Sequence, residues 1–407
     1  MKTGWQTKKV SEIAKHSLGK MLDKAKNKGE PKPYLRNLNV RWFDFDLSDV
    51  LEMPFLPTES EKYTAVKGDV LICEGGYPGR AAIWEQDEPI YFQKALHRVR
   101  FHEPERNKWF VYYLQFRDLE GTLRKHFNGA GIQHFTGEAL AQFEIPVPPL
   151  AEQERIVGVL DEAFAGLATA QAHAAKNHQN ARALFESHLQ SVFTHRGKGW
   201  VEKSVADLVA EGALVKPFDG NHGEIHPKKS DYTESGVPFI MARDLQDGLV
   251  DSEHCVFISQ KLADSLRVGF AKDGDVLISH KGTIGRSAIV STDDDYIMLT
   301  PQVTSYRVKD SSKLFNRFIH YYFMSPGFQR EMIAGAADGS TRAYIGITKQ
   351  LTLRFRFPPL AEQKRIAAEL DVLDPETQRL ATLYARKQAA LAALKQSLLH
   401  QAFSGEL

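Results

Sequence analysis

The sequence predicts an α+β chain: two mixed α/β globules separated by two long helices that pair with each other as an intramolecular antiparallel coiled coil. Three observations predict it. The segment Pro148-Pro149-Leu150-Ala151-Glu152-Gln153 is written again, 210 positions later, as Pro358-Pro359-Leu360-Ala361-Glu362-Gln363. Each copy introduces a stretch rich in Ala, Leu, Glu and Gln, all good helix formers, and residues 151–193 contain no proline. The stretches before them show short apolar runs between Gly, Pro and Asp, the pattern of buried strands joined by turns. At about 150 residues per domain, 407 residues suffice for two such globules.

In chain order, the first globule spans 1–147, the central helix 148–197, the second globule 198–357 and the distal helix 358–407. The globules match loosely. Gly4-Trp5 answers to Gly199-Trp200, Gly68-Asp69-Val70-Leu71-Ile72 to Gly274-Asp275-Val276-Leu277-Ile278, Gly79-Arg80 to Gly285-Arg286, and Arg98-Val99 to Arg307-Val308. Gly-Asp before each Val-Leu-Ile run fits a turn into a buried strand. Helices are expected near 107–126 and 311–334, where Trp109, Phe110, Phe318 and Phe323 read as core rather than as base-stacking platforms. The helices match without a gap for more than forty residues, through Arg155 and Arg365, Asp161 and Asp371, and Phe193 and Phe403.

Heptad spacing places Ile156, Leu160, Leu167 and Leu184 on the seam of the first helix. It places Ile366, Leu370, Leu380, Leu391 and Leu394 on that of the second. The first seam is rich in Ala and the second in Leu and Tyr, so small residues face large ones. A helix of that length reaches about 65 Å, so the pair acts as a ruler. Pro375 after Asp374 reads as an N-cap and first-turn proline that breaks or kinks the second helix.

Composition narrows the class. Two cysteines, Cys73 and Cys255, exclude a disulfide scaffold and a Cys-rich zinc site and suit a reducing cytoplasm. No apolar run is long enough for a signal peptide or a membrane span. A net charge of +1 excludes only an indiscriminate polybasic binder, because the charge is unevenly placed. Residues 1–41 carry 11 Lys and Arg against 3 Asp and Glu, whereas residues 42–61 carry six acids and no base. Basic and amide side chains interleaved with aromatics suit a surface that grips phosphates and reads base edges. The candidates in the first globule are Lys20, Lys24, Lys32, Arg36, Asn37, Asn39, Arg41 and Arg80. In the second they are Lys216, Asn221, His222, Arg243, Lys281, Thr283 and Arg286. The competing reading is a solvated basic surface beside an acidic neighbour. For Gly76 and Gly79, a tight turn after a buried strand is the favoured role.

Catalytic constellations are missing from the sequence. It contains no His-Glu-x-x-His, no Cys-x-x-Cys, no Walker loop, no Gly-x-Gly-x-x-Gly after a strand and no Asn/Asp-Pro-Pro-Tyr/Phe segment. No metal-ligand spacing is found among the fifteen histidines. A duplicated chain of this kind reads as a binder.

The doubled Pro-Pro-Leu-Ala-Glu-Gln helix entry, with Gly-Asp-Val-Leu-Ile in each preceding domain, resembles the specificity subunit of bacterial type I restriction–modification systems. The resemblance covers essentially the whole chain. It implies that each globule is a target recognition domain reading one half of a split, asymmetric double-stranded DNA sequence. It implies that the paired helices set the spacing and dock two methyltransferase subunits, with restriction and translocase subunits added. It also implies a non-catalytic cytoplasmic chain with no cofactor of its own, S-adenosylmethionine, ATP and Mg belonging to the partners. The alternatives are a self-sufficient DNA methyltransferase or nuclease with diverged motifs, and a tandem coiled-coil scaffold without a DNA role.

Overall fold

The computed structural model describes residues 4–23, 27–195, 197–222, 225–336 and 344–407. The chain divides into two compact units, Met1–Ala175 with Arg386–Leu407, and Lys176–Ala385. Both long helices, Leu150–Thr194 and Leu360–Ser404, run 45 residues, and each contributes one half to each unit.

The first unit contains two four-stranded sheets. In one, Glu30–Leu35 lies between Leu51–Phe55 and the parallel strand Ile90–Phe92, with Thr64–Ala65 at the edge. In the other, Leu96–Phe101 lies between Ala14–Leu18 and Val70–Cys73, with Ala81–Ile83 outside. The second unit repeats this arrangement with five-stranded sheets, keeping the parallel pair as Val237–Ile240 with Ile297–Leu299 and adding another, Gly248–Val250 with Ser287–Ile289. In both, the Val-Leu-Ile strand is wholly buried, which explains its continuous apolar run. The expected aromatic helices are Arg106–Leu119 in the first unit, and Asn316–Met324 with Pro326–Ala334 in the second. Trp109, Phe110, Phe318 and Phe323 are core residues.

The Gly-Asp signature has a definite job. Asp69 and Asp275 are each 1% exposed. Each accepts a backbone N–H from its own turn, Val66 N at 2.8 Å and Lys272 N at 3.0 Å. Each is also gripped through two nitrogens by an arginine on the neighbouring strand. Arg100 reaches Asp69 at 2.7 and 2.7 Å, and Arg307 reaches Asp275 at 2.7 and 2.8 Å. The ladder corrects the sequence match here. Val70 pairs with Val99 and Val276 with Tyr306, so the counterpart of Arg307 is Arg100, not Arg98.

The Pro-Pro-Leu-Ala-Glu-Gln entry is equally functional locally. Proline cannot donate to a helix, and the buried glutamine reaches back across the start. Gln153 Nε2 donates to Pro148 O at 2.7 Å and Gln363 Nε2 to Pro358 O at 2.9 Å. A second repeated contact lies two turns on. Asp161 accepts Lys108 Nζ and the Tyr112 hydroxyl, and Asp371 accepts the Arg317 guanidinium and the Tyr321 hydroxyl. Each globule is thereby latched to the helix that follows it.

The helices pair antiparallel. In the first unit, Ile156 and Leu160 near the start of one helix pack with Leu399, Ala402 and Phe403 at the end of the other. In the second unit, Phe185, Leu189 and Phe193 share a core with Ile366, Ala367 and Leu370. Of the seam residues, Leu167 is buried, and Leu380 and Leu391 are half-buried. Leu184 and Leu394 are corrections, at 53% and 47% exposed. A helix of 3.6 residues per turn drifts about 20° per heptad. Four heptads beyond Ile156 and Ile366 that drift approaches one residue position, and the seam passes to Phe185 and Lys395. The break expected at Pro375 does not occur, because the second long helix is continuous through it. Pro375 sits on the exposed side, Thr377 Oγ1 donates to Asp374 O at 2.9 Å, and Gln378 Nε2 donates to Asp374 Oδ1 at 2.8 Å.

Candidate nucleic-acid interface

Three loops meet beside the exit of the buried strand in the first unit, and the described residues of the second unit repeat their ties. The first is the Gly-rich turn. Gly79 N donates to Cys73 O at 2.9 Å and Gly285 N to Ser279 O at 2.8 Å. Gly76, Gly79, Gly282 and Gly285 have φ of 78°, 86°, 79° and 93°, the left-handed region that glycine adopts without strain. A Cβ on Gly79 would lie 2.4 Å from Leu123, and one on Gly285 1.9 Å from Gln329 Oε1. The glycines therefore serve the turn.

The second loop is a short hairpin, Val40–Arg41 with Asp44–Phe45 in the first unit and Leu245–Gln246 with Gly248–Val250 in the second. Each turns through a non-glycine residue of positive φ, Phe43 at 63° and Asp247 at 48°. The hairpin region is tied to the Gly-rich turn. In the first unit Asn37 Nδ2 donates to Gly75 O at 3.0 Å, and Arg80 Nη2 donates to Asn37 O at 3.0 Å. In the second, Arg286 Nη1 lies 3.5 Å from the carbonyls of Ala242 and Arg243.

The third loop escaped the sequence reading because it carries little charge. Asn128 and His134 exchange backbone hydrogen bonds of 2.8 Å around Gly129-Ala130-Gly131-Ile132-Gln133, and Phe135 N donates to Glu74 O at 2.8 Å. In the second unit Ile345 N donates to His280 O at 3.1 Å, and the Tyr344 ring lies 5.8 Å from Lys281 Nζ. Phe135 and Ile345 stand 210 positions apart, the same offset as the helices. That offset and the paired glycines were the available signal.

The candidate residues sort by what they touch. Lys20, Asn39 and Asn221 are buried, which corrects their assignment as contacts. Lys20 Nζ donates to Pro54 O at 2.8 Å and to Glu59 at 2.6 Å. Asn39 binds Arg36 N, Asp46 O and Asp49 O, and Asn221 binds Val268 O and Arg267 N. Lys20 and Asn221 each follow a glycine, Gly19 or Gly220, whose Cβ would lie about 2 Å from a neighbouring backbone carbonyl, so both are pins for a crowded crossing. Arg36 pairs with Asp49 at 2.7 Å, Arg41 with Asp46 at 3.0 Å and Lys32 with Glu30 at 2.9 Å. The acidic stretch thus pairs with Lys20, Arg36 and Arg41 of the basic one, which follows the competing reading for those three residues. Lys24 lies outside the described residues. Lys216, His222, Arg243, Lys281, Thr283 and Arg286 are exposed; Arg243 lies in the turn just before the hairpin, and the last three sit on the Gly-rich turn. Among the described residues no group of three or more His, Cys, Asp or Glu is placed to hold a metal ion. No helix among them is long and apolar enough to cross a membrane. Burial pushes both thiols, Cys73 and Cys255, up to about 11.

Three buried histidines support the strands behind these loops. His97 bonds Phe135 O at 2.9 Å, His280 bonds Thr304 Oγ1 at 2.6 Å and His320 bonds Ser287 Oγ at 3.0 Å. Burial lowers each from 6.5 to about 4. Between those values the unfolded chain binds more protons than the folded one, so stability rises with pH. The expected result is a urea midpoint that falls steadily as pH drops from 6.5 towards 4; a flat midpoint across that window would contradict it.

Comparison with known proteins follows this geometry. The family model for the type I restriction modification DNA specificity domain matches residues 2–175 and again 199–385. The chain is 23% identical over 366 residues to the type I restriction enzyme EcoBI specificity subunit of Escherichia coli, covering 85% of this chain and 75% of that one. It is 22% identical over 296 residues to the type I restriction enzyme MjaVIII specificity subunit of Methanocaldococcus jannaschii, covering 71% and 68%. Among solved structures, the HsdS subunit from Thermoanaerobacter tengcongensis shares the fold with a TM-score of 0.59 at 21% identity, covering 100% of this chain and 98% of that one. A chain from a structure of a type I R-M system shares it with a TM-score of 0.72, also at 21% identity, covering 100% and 99%.

Proposed function

The chain belongs to the type I restriction–modification DNA specificity family and carries two of its domains, and from that premise we propose that each unit reads one half of a split, asymmetric DNA target. The observation that carries this reading is the repetition of one edge, the Gly-rich turn beside a hairpin, with unlike side chains. Arg80 in one copy answers to Arg286 in the other, but the hairpin tips are Phe43 and Asp247, and Gly75 stands where the second unit has Lys281. A repeated frame with different chemistry at the same places suits two readers of different half-sites. Phosphate contacts would position each unit and base-edge contacts would specify the sequence.

In this reading the paired helices serve as the spacer between half-sites and as the platform for two methyltransferase subunits. Leu184 and Leu394 occupy the same place in the two helix copies and are both exposed, which suits two equivalent docking points. The chain is non-catalytic: S-adenosylmethionine, ATP and Mg act in the methyltransferase and restriction subunits, and the target adenine leaves the stack in the partner. Sequencing methylated adenines in a host that carries this chain with its methyltransferase should reveal one bipartite motif. Exchange of residues 1–147 for those of another member should change one half only. A motif without a gap, or one unaltered in both halves, would sink the proposal. Binding of S-adenosylmethionine by the purified chain alone would overturn its non-catalytic role.

A further inference from the structure

We infer that His222 is a base-reading residue of the second unit, held by Asp219 in the tautomer that offers Nδ1 as an acceptor, so that it selects a base presenting an amino group. The inference rests on the reading above and assigns one position of one half-site.

The proton positions can be followed outward from the core. Gln350 is fully buried, and its Nε2 lies 2.9 Å from Ile345 O, which only an N–H can satisfy. The same nitrogen donates to Thr304 Oγ1 at 2.9 Å, while Gln350 Oε1 accepts the Tyr306 hydroxyl at 2.9 Å. His280 Nδ1, 2.6 Å away, is then the acceptor within reach of the Thr304 hydroxyl hydrogen. His280 is 0% exposed and burial keeps it neutral, so its proton sits on Nε2. That nitrogen makes no hydrogen bond among the described residues and faces Asp219 Oδ2 at 3.6 Å. His222 Nε2 approaches the same oxygen at 2.9 Å. A carboxylate oxygen accepts, so the His222 proton that faces it sits on Nε2, and a ring carrying that one proton leaves Nδ1 bare.

The frame that presents this ring is rigid. A Cβ on Gly220 would lie 1.9 Å from Leu299 O, and the buried Asn221 side chain bonds Val268 O and Arg267 N at 2.6 and 3.1 Å. Beyond that pinned turn the His222 side chain is 56% exposed, in the same cluster as His280 and its neighbour Lys281. The corresponding path in the first unit, Leu18-Gly19-Lys20-Met21, has neither the carboxylate nor the imidazole. In the major groove, an acceptor finds its partner on adenine N6 or cytosine N4, whereas guanine and thymine present acceptors there.

The test is the methylation motif of the whole complex with two variants. His222→Ala should erase a preference for adenine or cytosine at one position, in the half-site assigned to the second unit, by roughly tenfold. Asp219→Ala should weaken that preference without erasing it, because no carboxylate then fixes which ring nitrogen of His222 carries the proton. The half-site of the first unit should be unchanged in both variants and reports intact assembly. If it is lost with Asp219→Ala, the exposed His222→Ala variant decides alone. An unaltered second half-site in His222→Ala overturns the inference, whereas failure of the unsubstituted chain to specify any split motif overturns the reading beneath it.

Discussion

Arg307→Met is expected to destabilise the second unit by about 3–5 kcal/mol, the usual cost of removing one partner from a buried ion pair. Asp275 is held at the foot of a strand with no access to water, and Arg307 supplies two of its hydrogen bonds at 2.7 and 2.8 Å. Methionine keeps much of the apolar stem but leaves the carboxylate with only Lys272 N and the Ser305 hydroxyl. The arginine also donates to Phe270 O, so the neighbouring sheet loses a tie. Adding Asp275→Asn should restore part of the loss, because the uncompensated charge disappears. Urea unfolding of the single and double variants measures this directly. A single-variant loss below about 1 kcal/mol would show that water reaches Asp275 and that the pair is ornamental to folding. Arg100→Met should cost less, since Arg100 is more exposed than Arg307.

These ion pairs also show what the sequence could and could not reveal. Gly-Asp before Val-Leu-Ile, and Pro-Pro-Leu-Ala-Glu-Gln before a helix, are short-range devices whose partners lie mostly within a few residues, so their repetition is visible in one dimension. The arginine partner is not. Arg98 and Arg100 lie on the same face of their strand, because side chains alternate with a period of two, and spacing alone cannot choose between them. Lys20, Asn39 and Asn221 failed as candidate contacts for a related reason. A polar side chain that pins a crossing and one that waits for a ligand have the same composition, and only the clash at Gly19 or Gly220 distinguishes them. The third loop carries little charge and its place is set by a hydrogen bond between residues 74 and 135, so only the 210-residue offset and the paired glycines pointed to it. Leu184 was misplaced by arithmetic: a strict heptad and a 3.6-residue helix agree for two or three turns and then part.

Phe403→Ala is expected to cost the first unit about 3–5 kcal/mol, as for other large aromatic truncations in a core. Its ring centroid lies 4.6 Å from Trp109, 5.1 Å from Tyr113 and 5.3 Å from Phe116. Phe193, its counterpart in the first helix, instead enters the second unit, 5.5 Å from both Phe318 and Tyr322. Each copy of the duplicated helix thus begins beside its own globule and ends in the core of the other. The consequence is an exchange of vulnerability: Phe403→Ala should weaken residues near the start of the chain, and Phe193→Ala should weaken residues that follow it in sequence. Hydrogen exchange resolved by segment separates the two. Phe403→Ala should speed exchange in Arg106–Leu119 and leave Asn316–Met324 protected, and Phe193→Ala should do the reverse. Loss of protection confined to Asn316–Met324 in Phe403→Ala would mean that each helix folds back on its own globule, and the antiparallel pairing would be wrong.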